Sequence, residues 1–447
     1  MNITIIGGAG YVGLPTAAGF AEKGHNVTVV DCNEEKIKML KGGKVPIFEP
    51  GLEKLLTKNS ERLTYTTSTK QGVNNSEIIF ISVPTPFSEK DRKSDLSFVE
   101  KVSREIAEHL DDKLKLIVEK STVPVNTGNR VESTIQRYSP IGAKFVVISN
   151  PEFLQEGLAL DGVLTPSRIE VGINHGPYYN VAKEMMMRIY DGFNSPILFH
   201  NRASAEAVKL ASNVNLLMQI SLINKIALIC RESGANIEEV SQGMSLDPRI
   251  GRFNKAGIGF GGSCFGKDGW AMLSVAEQYG LPFDMLKEAL EFNESLRDIV
   301  AREISNHFMG GLRDKIISVL GLSFKPETDD IRDSPSIGIV KRLLNMGAEK
   351  IRVCDPEAIS NAKKELAGRE YAGKIYYTEE PYDATTGANV ILLATEWNQF
   401  RELDMGRIKN SCVNGVFLFD GRSVFNPEEM MKLGYTYTRI DKKPMHL

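Results

Sequence analysis

The sequence is poor in cysteine. Its 447 residues hold five, Cys32, Cys230, Cys264, Cys354 and Cys412, with no Cys-x-x-Cys and no Cys/His cluster. An odd, scattered set excludes a disulfide framework and a structural metal site, and it fits a reducing, cytoplasmic setting. Charge of neither sign dominates. A net charge of −3 offers nothing to nucleic acid or to an anionic membrane. No apolar run approaches the roughly 18–20 residues that span a bilayer. The opening MNITIIGGAG has no basic leader or cleavage site, so no membrane or export role is expected. Repeats of short period and low-complexity tracts are also missing. The remainder, 42% apolar and 25% charged, is ordinary globular composition. The chain is too long for one core, so two or three domains are expected.

Short apolar runs alternate with amphipathic stretches. Asn2 to Ile6 reads as a strand, Tyr11 to Lys23 as a helix, and Asn26 to Val30 as a second strand. Ile78–Val83, Leu116–Glu119 and Lys144–Ser149 continue the strand pattern. Strands alternating with helices specify a parallel sheet covered on both faces. Residues 203 to 233 contain no Pro or Gly and are rich in Ala, Leu, Ile and Met. That predicts one long helix of roughly 45 Å at 1.5 Å per residue, too long for one small domain and suited to a dimer interface. Gly266–Tyr279 and Phe283–His307 read as further helices, and from Lys315 the strand–helix alternation resumes. The expectation is an α/β chain with two Rossmann-like, doubly wound parallel-sheet domains. Residues 1–201 and 312–447 form these, and an all-helical region, 202–311, joins them. Ser88–Ser94 is polar and charged and is expected to be a loop.

Gly8, Gly10 and Gly13 follow the first strand and open the first helix. The first two permit a tight turn and close approach of backbone to a pyrophosphate, and the third permits close helix–strand packing. Gly7 adds one residue to the turn. Asp31 ends the second strand, where a carboxylate accepts a ribose hydroxyl and repels a 2′-phosphate, which favours NAD over NADP. Val83-Pro84-Thr85-Pro86 and Lys120-Ser121-Thr122-Val123-Pro124 lie just past strand C-termini, the ligand edge of such sheets. They are equally readable as plain turns.

Further along, Glu152 and Glu156 are four residues apart. Either carboxylate could act as a base towards water, or both could form a solvated acidic pair, and spacing alone favours the second. Glu206, Lys209 and Asn213 share one face of the long helix. They could stabilise an oxyanion, or Glu206 and Lys209 could simply pair. Cys264 lies in Gly261-Gly262-Ser263-Cys264-Phe265-Gly266-Lys267-Asp268, near an expected helix N-terminus that favours a thiolate. A lone cysteine is more often a small buried hydrophobe, but the glycines and Lys267 tilt the reading. A thiol downstream of a dinucleotide fold points to a two-step oxidation, because a thiohemiacetal presents a second hydride. Lys325 and Arg332 follow the first strand of the last domain, and Arg422 follows a later one. They suit phosphate or carboxylate, or pair with neighbouring aspartates.

Taken in order, GAGYVG, PIFEPGLEKLL, KSTVPVNTG, SNPEFLQEG, AEAVKLASN, DPRIGRFNKAGIGFGGSCFGKD, GLSFKPETDDIRDSP and DGR resemble the nucleotide-sugar dehydrogenase family over nearly the whole chain. The resemblance implies an NAD domain, a central helical dimer region and a nucleotide-sugar domain. It implies that Cys264 is a nucleophile forming a thiohemiacetal and then a thioester. Lys209 and Asn213 would stabilise an oxyanion, Asp268 and Thr122 would position or activate water, and Glu156 would assist thioester hydrolysis. On the cofactor side it implies Gly8, Gly10, Tyr11, Val12, Gly13, Asp31, Lys36, Pro84, Thr85, Thr122, Glu156 and Arg332. On the sugar-nucleotide side it implies Glu152, Phe153, Leu154, Lys209, Asn213, Phe260, Gly261, Lys325 and Arg422, with Arg249 reaching across from a partner subunit.

The expected activity is a four-electron, NAD-dependent oxidation of UDP-glucose to UDP-glucuronate by a homodimer. SNPEFLQEG and GGSCF look more like the UDP-glucose members than the GDP-mannose or N-acetylhexosamine members. Three alternatives stay open: the same chemistry on GDP-mannose or a UDP-N-acetylhexosamine, a two-electron hydroxyacid-type dehydrogenase, and a non-catalytic sugar-nucleotide sensor.

Overall fold

The computed structural model describes residues 1–88, 93–250 and 255–445. They divide into two compact units, Met1–Ser212 with Trp270–Pro282, and Asn213–Gly269 with Phe283–Leu447.

In the first unit the strands are β1 (Asn2–Ile6), β2 (Asn26–Val30), β3 (Leu63–Thr66), β4 (Ile78–Ile81), β5 (Phe87–Ser88), β6 (Lys93–Ser94), β7 (Lys115–Glu119), β8 (Phe145–Ser149), β9 (Ile169–Ile173) and β10 (Ile197–His200). Eight of them form one sheet in the order β10-β9-β8-β7-β4-β1-β2-β3. The pairs from β3 to β8 are parallel, with Ile6 opposite both Val30 and Ile81. β8 and β9 run antiparallel, a departure from the all-parallel sheet expected. β4 and β7 are buried at every position, as parallel strands covered on both faces must be. Each large side chain buried there stabilises by roughly 1.5–3 kcal/mol. The expected loop at 88–94 begins and ends in the β5–β6 pair, and residues 89–92 lie outside the described ones.

The second unit carries β11 (Ile316–Leu320), β12 (Lys350–Cys354), β13 (Ile375–Thr378), β14 (Val390–Leu393), β15 (Phe417–Asp420), β16 (Thr436–Arg439) and β17 (Lys442–Met445). Their order is β13-β12-β11-β14-β15-β16-β17, parallel except for the last pair. Each sheet therefore has its first strand flanked by its second and by a later one, so the chain reverses direction at that strand. The C-terminal ends of the strands at that reversal form a ligand crevice.

The long helix runs Arg202–Ser233, one residue longer than expected. It has a stretch of mean hydropathy 1.4 that is long and apolar enough to cross a membrane by length and composition alone, where no such stretch was expected. It also carries buried Glu206, Lys209, Asn213 and Asn224, and its buried positions pack against protein.

Candidate active site

The dinucleotide turn is built tightly. The amides of Gly7 and Gly8 donate to Val30 O at 2.9 and 3.0 Å. Gly7 has φ +76°, and a Cβ there would sit 2.4 Å from Ser82 O, so the extra residue of the turn must be glycine. A Cβ on Gly13 would lie 2.6 Å from the Gly8 Cα. Gly10 differs, because its Cβ would meet nothing nearer than 3.7 Å. Packing does not demand this glycine, and it leaves the outer face of the turn bare for a phosphate. The helix Gly13–Glu22 has no side-chain cap and no acid in its first turn, so the positive end of its dipole is not occupied by a side chain and favours an anion. Asp31 accepts from Ala9 N at 3.1 Å and Asn33 N at 3.0 Å and stays half-exposed. Lys36 Nζ reaches Ala9 O at 3.4 Å. These residues fit an NAD whose pyrophosphate lies on the turn and whose ribose meets Asp31. Thr85 Oγ1 donates to Thr122 O at 2.7 Å, which ties the turn after β4 to the turn after β7.

Next on the same unit is the loop after β8. Glu152 is buried, accepts from Leu154 N at 2.5 Å, and pairs with Lys209 Nζ at 3.3 Å. The suggested pairing of Glu206 with Lys209 is not formed. Glu206 instead accepts from Asn126 N (2.6 Å), Gly128 N (2.8 Å) and Ser149 Oγ (2.9 Å). It therefore serves the start of the helix Thr127–Tyr138, whose N-cap residue Asn126 has no side-chain capping bond of its own. Phe153 lies between two cations, with the Arg168 guanidinium 3.8 Å and the Lys209 ammonium 5.2 Å from its ring centre. Glu156 is half-buried on this loop. The loop's far end is fixed by Glu49, whose carboxylate accepts from Gly157 N at 2.8 Å and Ala159 N at 2.7 Å.

The second unit holds the thiol. Cys264 immediately precedes the helix Phe265–Gln278, and its carbonyl accepts from Asp268 N at 2.9 Å. Asp268 is 1% exposed. One of its oxygens accepts from Asn213 Nδ2 at 2.5 Å and the other from Lys267 Nζ at 2.6 Å. Two charge-assisted bonds hold a carboxylate four residues from the sulfur in a fixed orientation. Gly261 and Gly262 are required, because a Cβ on Gly261 would lie 2.5 Å from Asp333 O and one on Gly262 2.9 Å from the Phe324 ring. Gly262 N also donates to Arg332 O at 2.9 Å. The cysteine loop is thus laid against the 324–335 loop that carries Lys325. Phe260 is buried, and Asn293 grips its backbone from both sides. Arg422 bonds the carbonyls of Ala394, Gly259 and Phe324, which gathers the strand-end loops of this sheet.

Two arginine side chains are turned to neighbouring aspartates rather than to these clusters. Arg249 has a side chain 87% exposed and bonded to Asp247. Arg332 has a half-exposed side chain that forks onto Asp330. Sequence reasoning gave no role to Glu49, Arg168, Tyr190 or Asn293. Glu49 was visible only as an acid inside PIFEPG. Tyr190 gave no local signal, because its partner Asn150 is distant in sequence, whereas Arg168 pairs with Glu170 only two residues on, a spacing the sequence reading did not use.

Three family models match the chain. The NAD binding domain of the UDP-glucose/GDP-mannose dehydrogenase family matches residues 1–194, the central domain 203–295, and the UDP binding domain 318–427. The UDP-glucose 6-dehydrogenase of Rhizobium meliloti is 41% identical over 99% of this chain and 100% of its own length. UDP-glucose 6-dehydrogenase TuaD of Bacillus subtilis is 40% identical over 99% of this chain and 93% of its own. Among solved structures, a UDP-glucose dehydrogenase from Pyrobaculum islandicum superposes with a TM-score of 0.89 at 34% identity, covering 99% of this chain and 98% of its own. NAD is the cofactor of the first unit, and a nucleotide sugar is the small-molecule partner of the C-terminal region. The chain belongs to the UDP-glucose/GDP-mannose dehydrogenase family.

Proposed function

We propose that the protein oxidises UDP-glucose to UDP-glucuronate, consuming two NAD per turnover, with Cys264 holding the carbon between the two oxidations. The observation that carries this reading is the constellation behind Cys264, in which Asp268 and Lys267 of the helix that starts there meet Asn213 of the long helix. It is joined by relatives near 40% identity that bear the name UDP-glucose 6-dehydrogenase.

NAD, when bound on the Gly8–Gly13 turn, accepts a hydride in each oxidation. The chain's own groups do the rest. The sugar C6 hydroxyl loses a proton as its C–H leaves as hydride, giving an aldehyde. The Cys264 sulfur adds to that carbon, and the resulting oxyanion is met by the Lys209 ammonium and the Asn213 amide, which lie one turn apart on the long helix. Loss of a second hydride and the hydroxyl proton leaves a thioester. Water, oriented by Asp268 and Thr122 with Glu156 as base, cleaves it to a carboxylate and returns the thiol. Glu152, Phe153, Leu154, Phe260, Gly261, Lys325 and Arg422 hold the sugar nucleotide. Arg249, directed outward, serves the partner subunit, and Lys36 and Arg332 assist the NAD.

A homodimer is supported by apolar side chains left exposed on the long helix, Leu222 and Ile229, and by Leu246 beyond it. Five free cysteines support a reducing, cytoplasmic location. The test is a panel of UDP-glucose, GDP-mannose and UDP-N-acetylhexosamines scored by NADH formed per sugar consumed. The reading predicts two NADH with UDP-glucose preferred. One NADH with accumulating aldehyde would reduce the enzyme to a two-electron dehydrogenase, and another preferred sugar would move the substrate.

A further inference from the structure

Arg168 has no part in the roles above, yet it stands against the loop that follows β8. Its guanidinium carbon lies over the Phe153 ring, 3.8 Å from the centre. The Lys209 ammonium, at 5.2 Å, is the more distant of the two cations on that ring. The edge of the guanidinium is used twice. Nε donates to Glu170 Oε1 and Nη2 to Ser212 Oγ, both at 3.0 Å. Guanidinium donors lie in the plane of the group, so both bonds form while one flat face stays on the ring.

Both acceptors sit on regular elements. Glu170 lies in β9 with its side chain 2% exposed, and its other oxygen meets His200 Nε2 of β10 at 2.8 Å. Ser212 belongs to the long helix, and its hydroxyl donates to Val208 O at 2.7 Å. Sheet and helix therefore orient the guanidinium, and the guanidinium meets a side chain of a loop. Phe153 and Arg168 also border a cavity of about 300 Å³ in the first unit, together with Asn150, Glu152 and Leu154. Packing is interrupted on that side, so one well-placed contact carries more of the loop's order. The far end of the loop is held separately, by the Glu49 carboxylate on the amides of Gly157 and Ala159.

We infer that Arg168 is a positioning residue: by stacking on Phe153 it sets the course of the chain at 152–154. What that stretch does for the sugar nucleotide rests on the function proposed above. The mechanical hold of Arg168 on the loop does not.

The test uses the full-length protein as Arg168→Met, Arg168→Lys and Phe153→Leu. The first readout needs no substrate: backbone hydrogen exchange followed by peptide mass spectrometry. Exchange at Leu154 should quicken about fivefold or more in Arg168→Met, while the amides at 157–160, held by Glu49, keep the wild-type rate. Unchanged exchange at Leu154, or equal quickening at both ends of the loop, overturns the proposal. Lysine keeps a cation for Glu170 but has no flat face for the ring, so Arg168→Lys should not restore the wild-type rate. Full restoration overturns the stacking. The second readout is steady-state kinetics. Arg168→Met and Phe153→Leu should each raise KM for UDP-glucose about fivefold, with KM for NAD within about twofold, and the double variant should be no worse than the worse single one. Losses that multiply, or a rise confined to KM for NAD, overturn it. If the wild type does not oxidise UDP-glucose, the function reading fails, and the exchange arm alone decides the positioning. If Arg168→Met does not fold, Arg168→Lys and Phe153→Leu supply both readouts.

Discussion

Strand β2 leads into Asp31 and strand β12 leads into Asp355, the same place in two sheets of similar build. Around them the turns match closely. Gly7 N donates to Val30 O at 2.9 Å, and Gly321 N to Cys354 O at 2.8 Å. Ser82 N reaches Ile6 O at 2.8 Å, and Ala394 N reaches Leu320 O at 2.8 Å. Both turn glycines have positive φ, +76° and +99°. The carboxylates, however, are used in opposite ways. Asp31 takes two backbone amides and stays half-exposed, open to a ribose hydroxyl. Asp355 is fully buried and takes Leu322 N, Ser323 N, Ser323 Oγ and Trp397 Nε1 on one oxygen, and Glu357 N and Ala358 N on the other. No lone pair is left for a ligand. One acid can therefore read a nucleotide while the other can only hold its own loop. In the function proposed above, recognition at the second sheet falls to the basic residues past its strands, Lys325 and Arg422.

That contrast can be broken at several points. Asp355→Ala strips the acceptor from six donors, most of them buried. It should cost about 3–5 kcal/mol in urea unfolding, with loss of UDP binding. A cost below about 1 kcal/mol would show that the turn does not depend on this carboxylate. Gly7→Ala and Gly321→Ala should each cost about 2–3 kcal/mol, because both add a Cβ 2.4 Å from a neighbouring atom at a positive φ. Unequal costs would separate the two turns mechanically. Glu119, at the end of β7, is pushed up to about 8 by burial, against an ordinary 4.5. The folded protein then binds this proton more tightly than the unfolded chain, so stability is eroded as pH rises from about 4.5 to 8. Glu119→Gln should flatten that decline by roughly 1 kcal/mol per pH unit, read as urea midpoints at pH 5 and 8. The smallest effect on stability belongs to Asp31→Ala, less than about 1 kcal/mol, while NAD binding by calorimetry should weaken about tenfold. Equal stability losses at Asp31 and Asp355 would erase the comparison.

Much of this was legible in the sequence wherever the signal is local. The glycine turn, Asp31, the long helix and the Cys264 helix start were placed by spacing and composition to within a residue or two. Long-range partners were not. The i, i+3 spacing of Glu206 and Lys209 offers a pair, but Glu206 turns to Asn126 and Gly128, and Lys209 turns to Glu152. β9 was hidden because Glu170 interrupts its apolar pattern, and that acid proves to be the partner of Arg168, just before the strand. β16, Thr436–Arg439, reads as polar, yet Arg439 is buried between Glu238 and Asp441. The sequestered role of Asp355 had no local trace, since a strand ending in Asp looks the same in either sheet.

The most direct measurement is acid-quenched peptide mass spectrometry of the enzyme turning over UDP-glucose with NAD. The account predicts a UDP-hexuronyl thioester on the Cys264 peptide, strengthened in Glu156→Gln and absent in Cys264→Ala. Acid formed by Cys264→Ala at the wild-type rate, with no adduct on the wild-type peptide, would contradict it.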